Sequence, residues 1–131
     1  MKSNDKLLIA ALAGLLAGAV GNSPTHGQVA KPTPVYLISE ADVITDTAGI
    51  EAYGSKVGAT LAPFSGHDHF VVRGGKTESL EGQAPEGTVI IAFDSFEQAR
   101  AWYNSPAYQA IKPLRQAASK GRMFIVAGLA Q

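Results

Sequence analysis

The sequence predicts an α+β fold: one four-stranded antiparallel sheet with two helices on one face, in the chain order β-α-β-β-α-β. Three observations predict it. The stretch from Thr88 to Gly128 reads as strand, long helix, strand. A first strand–helix–strand pattern precedes it, from Val35 to Arg73. The strand residues also divide by alternation into two sets, each of which is apolar.

Taken in order, Gln28 to Pro34 is an extended linker, held out of helix by Pro32 and Pro34. Val35 to Val43 is the first strand, rich in β-favouring side chains. Asp46 or Thr47 can cap the helix that follows, by accepting from its free backbone N–H groups. Ile50, Tyr53, Val57 and Leu61 recur along it at helical spacing, and Pro63 ends it. His67 to Arg73 is the second strand, stopped by Gly74 and Gly75. Lys76 to Gly87 is a long polar hairpin connection, and Thr88 to Asp94 is the third strand. Ser95, with Gln98 three residues on, forms a capping box for the second helix. Asn104-Ser105-Pro106 interrupts that helix, Ser105 re-caps it, and Pro113 should kink it. Lys112, Arg115 and Lys120 gather towards its end, where the macrodipole favours cations, and Gly121 reads as its C-terminal cap. Arg122 to Ala127 is the last strand.

This order is that of the ferredoxin-like split sandwich, whose right-handed crossovers put both helices on the same face of the sheet. One alternating set is Val35, Leu37, Val89, Ile91, Phe93, Met123 and Ile125; the other is Tyr36, Ile38, Ile90, Ala92, Phe124 and Val126. A sheet with one wet face should alternate apolar with polar. The helix-free face therefore needs a cover. No element of the chain is left over, so a second copy is expected there, as a face-to-face homodimer.

Length allows one domain after an export signal. Lys2 and Lys6 precede the uncharged run Leu7 to Val20, which is short for a membrane span and fits a signal-peptide core. Two cleavage sites fit, Ala19-Val20-Gly21 and Thr25-His26-Gly27; the second is preferred and sets residues 1–27 as the signal. A periplasmic or secreted location follows, with no stable membrane association after cleavage. An uncleaved N-terminal membrane anchor is the alternative. With no cysteine, disulfides, thiolate metal sites and a lipoprotein anchor are excluded. The chain has 11 basic and 11 acidic residues, a balance that argues against nucleic acid and against polybasic contact with a membrane.

Several motifs together resemble one family. They are Phe93-Asp94-Ser95-Phe96, Ala99, Ala101-Trp102-Tyr103, Ser105-Pro106, Tyr108-Gln109 and Leu114-Arg115, with Val72-Arg73-Gly74-Gly75 and Leu80-Glu81-Gly82 in the hairpin. They resemble the "domain of unknown function 1330" family of the dimeric α/β-barrel superfamily, over about residues 35–128. The resemblance implies a ferredoxin-like protomer that pairs sheet to sheet. The wider superfamily includes cofactor-free monooxygenases, haem-handling enzymes and lactone isomerases, and kinship of that breadth transfers no function. The export signal and Pro113 depart from the family pattern.

Four groups of residues are candidates for chemistry. His67 and His69, two apart on a strand, share a face and can meet one metal if Glu40, Asp42 or Glu81 supplies a third ligand. A solvated polar strand start explains them equally and is preferred. Arg73 and Glu81 flank the glycine-rich hairpin and can bind a carboxylate and move a proton. The plainer account pairs them across the hairpin, for up to about 1 kcal/mol if exposed. Trp102, Tyr103 and Tyr108 surround the helix break, where Tyr103 or Tyr108 can offer a hydroxyl to a ligand beside Arg115. Core packing of amphipathic rings accounts for the same residues and is preferred. Gly75-Lys76-Thr77 lacks the earlier glycine of a phosphate loop, and neither a serine elbow nor a dinucleotide fingerprint occurs.

The first functional reading is an exported homodimeric module that binds a small molecule. The second is a cofactor-free enzyme, monooxygenase- or isomerase-like, acting on a small organic acid. In it Arg73 or Arg115 holds the carboxylate and Tyr103, Glu81 or His69 moves the proton. The third is a structural or stress-related envelope protein. No cofactor is expected in any of them.

Overall fold

The structure is a computed structural model that describes residues 32–66, 68 and 70–131. The expected signal at residues 1–27, most of the linker, His67 and His69 lie outside the described residues. Seven elements follow one another: β1 (Val35–Ile44), α1 (Thr47–Thr60), β2 (Phe70–Arg73), β3 (Gly87–Phe93), α2 (Phe96–Tyr103), α3 (Pro106–Ala118) and β4 (Ser119–Ala127). The strands form one sheet in the order β2-β3-β1-β4, and all neighbours are antiparallel. This is the ferredoxin-like arrangement, with the second helix divided in two.

The helix starts are built as their residues dictate. Asp46 caps α1 by accepting from the Gly49 amide at 3.0 Å. Ser95 caps α2 by accepting from the Gln98 amide at 3.1 Å. Ser105 caps α3 by accepting from the Tyr108 amide at 3.3 Å, and its hydroxyl donates to the Trp102 carbonyl at 2.7 Å. One serine thus closes α2 and opens α3, which turns the chain at the Asn104-Ser105-Pro106 break. Pro113 lies inside α3, and the helix continues past it to Ala118.

Several boundaries differ from the sequence reading: β1 runs one residue further, to Ile44, and β3 ends one residue earlier, at Phe93. β2 is described only from Phe70, and β3 starts one residue early, at Gly87. Gly121 does not cap a helix. The α3 cap is Ser119, whose hydroxyl donates to the Arg115 carbonyl at 2.9 Å, and β4 begins at that residue. Lys120 therefore belongs to the strand rather than to the helix end. Gly121 is needed where β4 crosses β1: a Cβ there would run into the Glu40 carbonyl oxygen.

The register sorts the two sheet faces. Ile91, Leu37 and Ile125 form one row across the sheet, as do Phe93, Val35 and Ala127. Leu37, Ile91 and Phe93 pack with Val57 and Leu61, and with Ala99, Trp102 and Tyr108 of α2 and α3, as one buried cluster. Every sheet residue in that cluster belongs to the first alternating set, so the helices cover that face. The opposite face presents the rows Ala92–Tyr36–Val126 and Ile90–Ile38–Phe124. Phe124 and Val126 are each 43% exposed, and Val71 on the edge strand is 57% exposed. The apolar rows end at Glu40, which pairs with Arg122 at 2.6 Å; Arg122 also reaches Asp42 at 3.7 Å.

Candidate functional site

A cavity of about 300 Å³ lies between the helix-covered face of the sheet and α1. Leu37, Val89, Ile91 and Met123 form its sheet wall, and Ile50, Tyr53 and Val57 its helix wall. Phe70 and Trp102 close further sides. These positions follow from periodicity: Ile50, Tyr53 and Val57 lie three and four apart on one helical face, and the strand residues are alternate ones.

Several polar groups enter this mainly apolar space, among them Glu40, Tyr53, Arg73, Glu86 and Arg115. Tyr53 and Tyr108 bring their hydroxyl oxygens to 3.2 Å, with the rings edge to face at 6.4 Å. The Nε of Arg115 donates to the Tyr108 hydroxyl at 3.3 Å. Tyr53 and Arg115 line the cavity, while Tyr108 stands fully buried behind them. Burial pushes the Tyr53 phenol well above its ordinary value, and neighbouring Tyr108 adds to the rise; Arg115 opposes it in part. Tyr53 is therefore a neutral phenol throughout the physiological range, suited to donate a hydrogen bond rather than to abstract a proton.

Arg73 reaches the cavity from the end of β2. Its Nη2 donates to the Gly54 carbonyl at 2.8 Å, and its guanidinium lies 4.6 Å from the Phe70 ring centroid. At the mouth, the Glu86 carboxylate accepts from the Ile44 amide at 2.6 Å, and the Glu86 amide donates to the Ala41 carbonyl at 2.8 Å. That pair of bonds ties the hairpin connection to the end of β1.

Of the candidates from sequence, Glu40, Arg73 and Arg115 line one cavity and Tyr108 supports it. The Arg73–Glu81 pair does not form. Arg73 bonds a backbone carbonyl instead, and Glu81 is exposed in the hairpin connection and outside the cavity lining. Tyr103 packs on Tyr108 at 5.5 Å with Lys112 over its ring at 5.2 Å. It faces a separate, smaller depression with Arg100 and Asn104. Glu40 and Asp42, weighed as metal ligands, pair with Arg122. Among the described residues no three His, Asp or Glu side chains gather to hold a metal. Sequence reasoning missed Tyr53 and Glu86 as functional groups. The signal for Tyr53 was present: one side chain of the apolar helical stripe carries a hydroxyl that burial obliges to find a partner.

A family model described as "Domain of unknown function (DUF1330)" matches residues 34–129. The chain belongs to the DUF1330 family. No curated protein matches it in sequence. The DUF1330 domain is similar to a solved protein of unknown function from Rhodopseudomonas palustris. The TM-score is 0.63 at 16% identity, over 93% of this chain and 94% of that one. It is also similar to SnoaB, a cofactor-independent oxygenase from Streptomyces nogalater, with a TM-score of 0.54 at 14% identity over 76% of this chain and 96% of that one. A third similar structure, from Caulobacter crescentus, is proposed to be an antibiotic biosynthesis monooxygenase. Its TM-score is 0.51 at 13% identity, over 78% of this chain and 92% of that one. At such identities the likeness is one of fold, and the DUF1330 domain takes its functional reading from its own site.

Proposed function

We propose that this DUF1330 protein is an exported homodimer that binds a small organic molecule in the cavity between its sheet and its helices. One observation carries the reading: a mainly apolar cavity of about 300 Å³ on which Tyr53, two arginines and two glutamates converge. That combination is the usual form of a ligand site, and its volume lies at the lower end of the common range. The uncharged run at residues 7–20 supports export. Among the described residues no helix is long and apolar enough to cross a membrane.

The cavity reading is tested by filling the space. Gly54 lines the cavity, and a Cβ there would meet nothing within 4 Å. Gly54→Leu should fold at least as well as the parent, because leucine is the better helix former by about 1 kcal/mol. Thermal-shift screening of small organic compounds should find ligands that raise the Tm of the parent and leave that of Gly54→Leu unchanged. Hits that stabilise both equally would place binding elsewhere.

The homodimer rests on the two apolar rows of the helix-free face. Burying roughly 800 Å² per partner provides a driving force that offsets the entropy of association. Light scattering after size exclusion should give twice the chain mass for the parent and one chain mass for Phe124→Asp, with the same far-UV spectrum. A monomeric parent, or a dimer that survives the aspartate, would refute this interface.

A second reading is a cofactor-free enzyme acting on a small organic acid. The Tyr53–Tyr108–Arg115 chain beside the cavity favours it, since linked hydroxyls can hold and pass on a proton. Burial keeps Tyr53 a neutral phenol, able to donate a hydrogen bond but a poorer acid than an ordinary tyrosine, which speaks against Tyr53 as either the acid or the base at neutral pH. The cavity weighs against a purely structural envelope role.

A further inference from the structure

The binding reading leaves the chemistry of the ligand open, and the inference here rests on that reading. Among the described residues Arg115 forms no ion pair with a carboxylate, and its Nε donates to the Tyr108 hydroxyl. Its Nη groups meet no carboxylate, and the half-buried guanidinium lines the cavity beside the Tyr53 hydroxyl. An arriving carboxylate would give this guanidinium the contact partner that Glu40 and Glu86, further along the cavity lining, do not provide. The hydroxyl chain points the same way. Tyr108 has one proton to give, either to the Tyr53 oxygen at 3.2 Å or to the Met123 sulfur at 3.9 Å. The oxygen is nearer, and a thioether is only a weak acceptor. When Tyr108 donates to Tyr53, the Tyr53 proton is released towards the cavity, polarised by a chain that begins at the guanidinium.

We propose that Arg115 and Tyr53 form a carboxylate-binding subsite, and that the cavity takes a compact monocarboxylate with a flat apolar body. Arg115 supplies paired N–H donors to the carboxylate, and Tyr53 adds a third donor. The body lies against Leu37, Val57, Ile91 and Trp102.

The test is calorimetric titration of the full chain at neutral pH with benzoate and with its neutral isostere benzamide. Benzoate should bind at least about tenfold more tightly, the size of a charge-assisted hydrogen-bond effect. Arg115→Gln should bring benzoate down to the benzamide level. Arg115→Lys, which keeps the charge and loses the fork, should fall between. Tyr53→Phe keeps the apolar contacts, so its several-fold loss of benzoate affinity reports the hydroxyl alone. Arg100→Gln, at the exposed pair with Glu97, should change nothing. Equal binding of the two probes, or benzoate affinity that survives Arg115→Gln, would overturn the carboxylate subsite while leaving the binding reading in place. If neither probe binds, while other compounds stabilise the parent and not Gly54→Leu, the subsite alone falls. If neither probe binds and no such compound exists, both readings fall.

Discussion

Trp102→Ala will lower the unfolding free energy of the domain by about 3–5 kcal/mol, the range for removing a large aromatic ring from a packed core. The ring is wholly buried. Its centroid lies 4.1 Å from that of Tyr108 and 5.9 Å from that of Phe93, so it joins α2 to α3 and to the sheet. Its Nε1 donates to the Thr60 hydroxyl at 2.9 Å, and that hydroxyl donates to the Val57 carbonyl at 2.6 Å. The loss thus reaches the end of α1 as well, where it leaves a buried hydroxyl with one partner fewer. Domains of this size hold about 5–15 kcal/mol in total, which places the variant near the edge of folding. Urea denaturation measures it. A change below about 1 kcal/mol would mean that the site collapses around the void, contrary to the packing described.

Gly121→Ala should cost about 3 kcal/mol or more, at the upper end for overpacking. The obstacle is the Glu40 backbone carbonyl, which cannot rotate aside as a side chain would. It sits between two ladders, since β1 pairs with β3 on one side and β4 on the other. Relief requires β4 to part from β1 near Ala41, where the register already shifts before Val43. The nearby Glu40–Arg122 pair would be displaced with it. Thermal denaturation should show a markedly lower Tm, and amide exchange should quicken first at the start of β4. An alanine variant as stable as the parent would show that this strand crossing is looser than described.

Much of the fold was legible because its signals are local. Asp46, Ser95 and Ser105 each precede a helix by one residue and cap it as their side chains predict. Alternation placed every strand residue of the buried cluster on the correct face. The end of α3 was misread because strand follows helix with no intervening loop: Ala118 closes the helix and Ser119 opens β4. A glycine just past a helix usually marks a cap, and here the same residue serves a close backbone approach to the Glu40 carbonyl, far away in sequence. The site was legible only in part. Arg73 and Arg115 stood out as charges beside turns and breaks, and they do line the cavity. Their partners are non-local. Arg73 bonds the carbonyl of Gly54 on α1, and Tyr53 meets Tyr108 across 55 residues of sequence. Periodicity sorted Tyr53 with the core residues and had no means of revealing what its hydroxyl would touch.

The central claim is that ligand binding takes place in the cavity between the sheet and α1. Amide chemical-shift mapping during a benzoate titration tests it most directly. The account predicts shifts concentrated at Tyr53, Gly54, Phe70 and Arg115, with the amides of Phe124 and Val126 on the opposite sheet face unmoved. Shifts gathered on that opposite face, or around Tyr103 and Asn104 at the smaller depression, would contradict it.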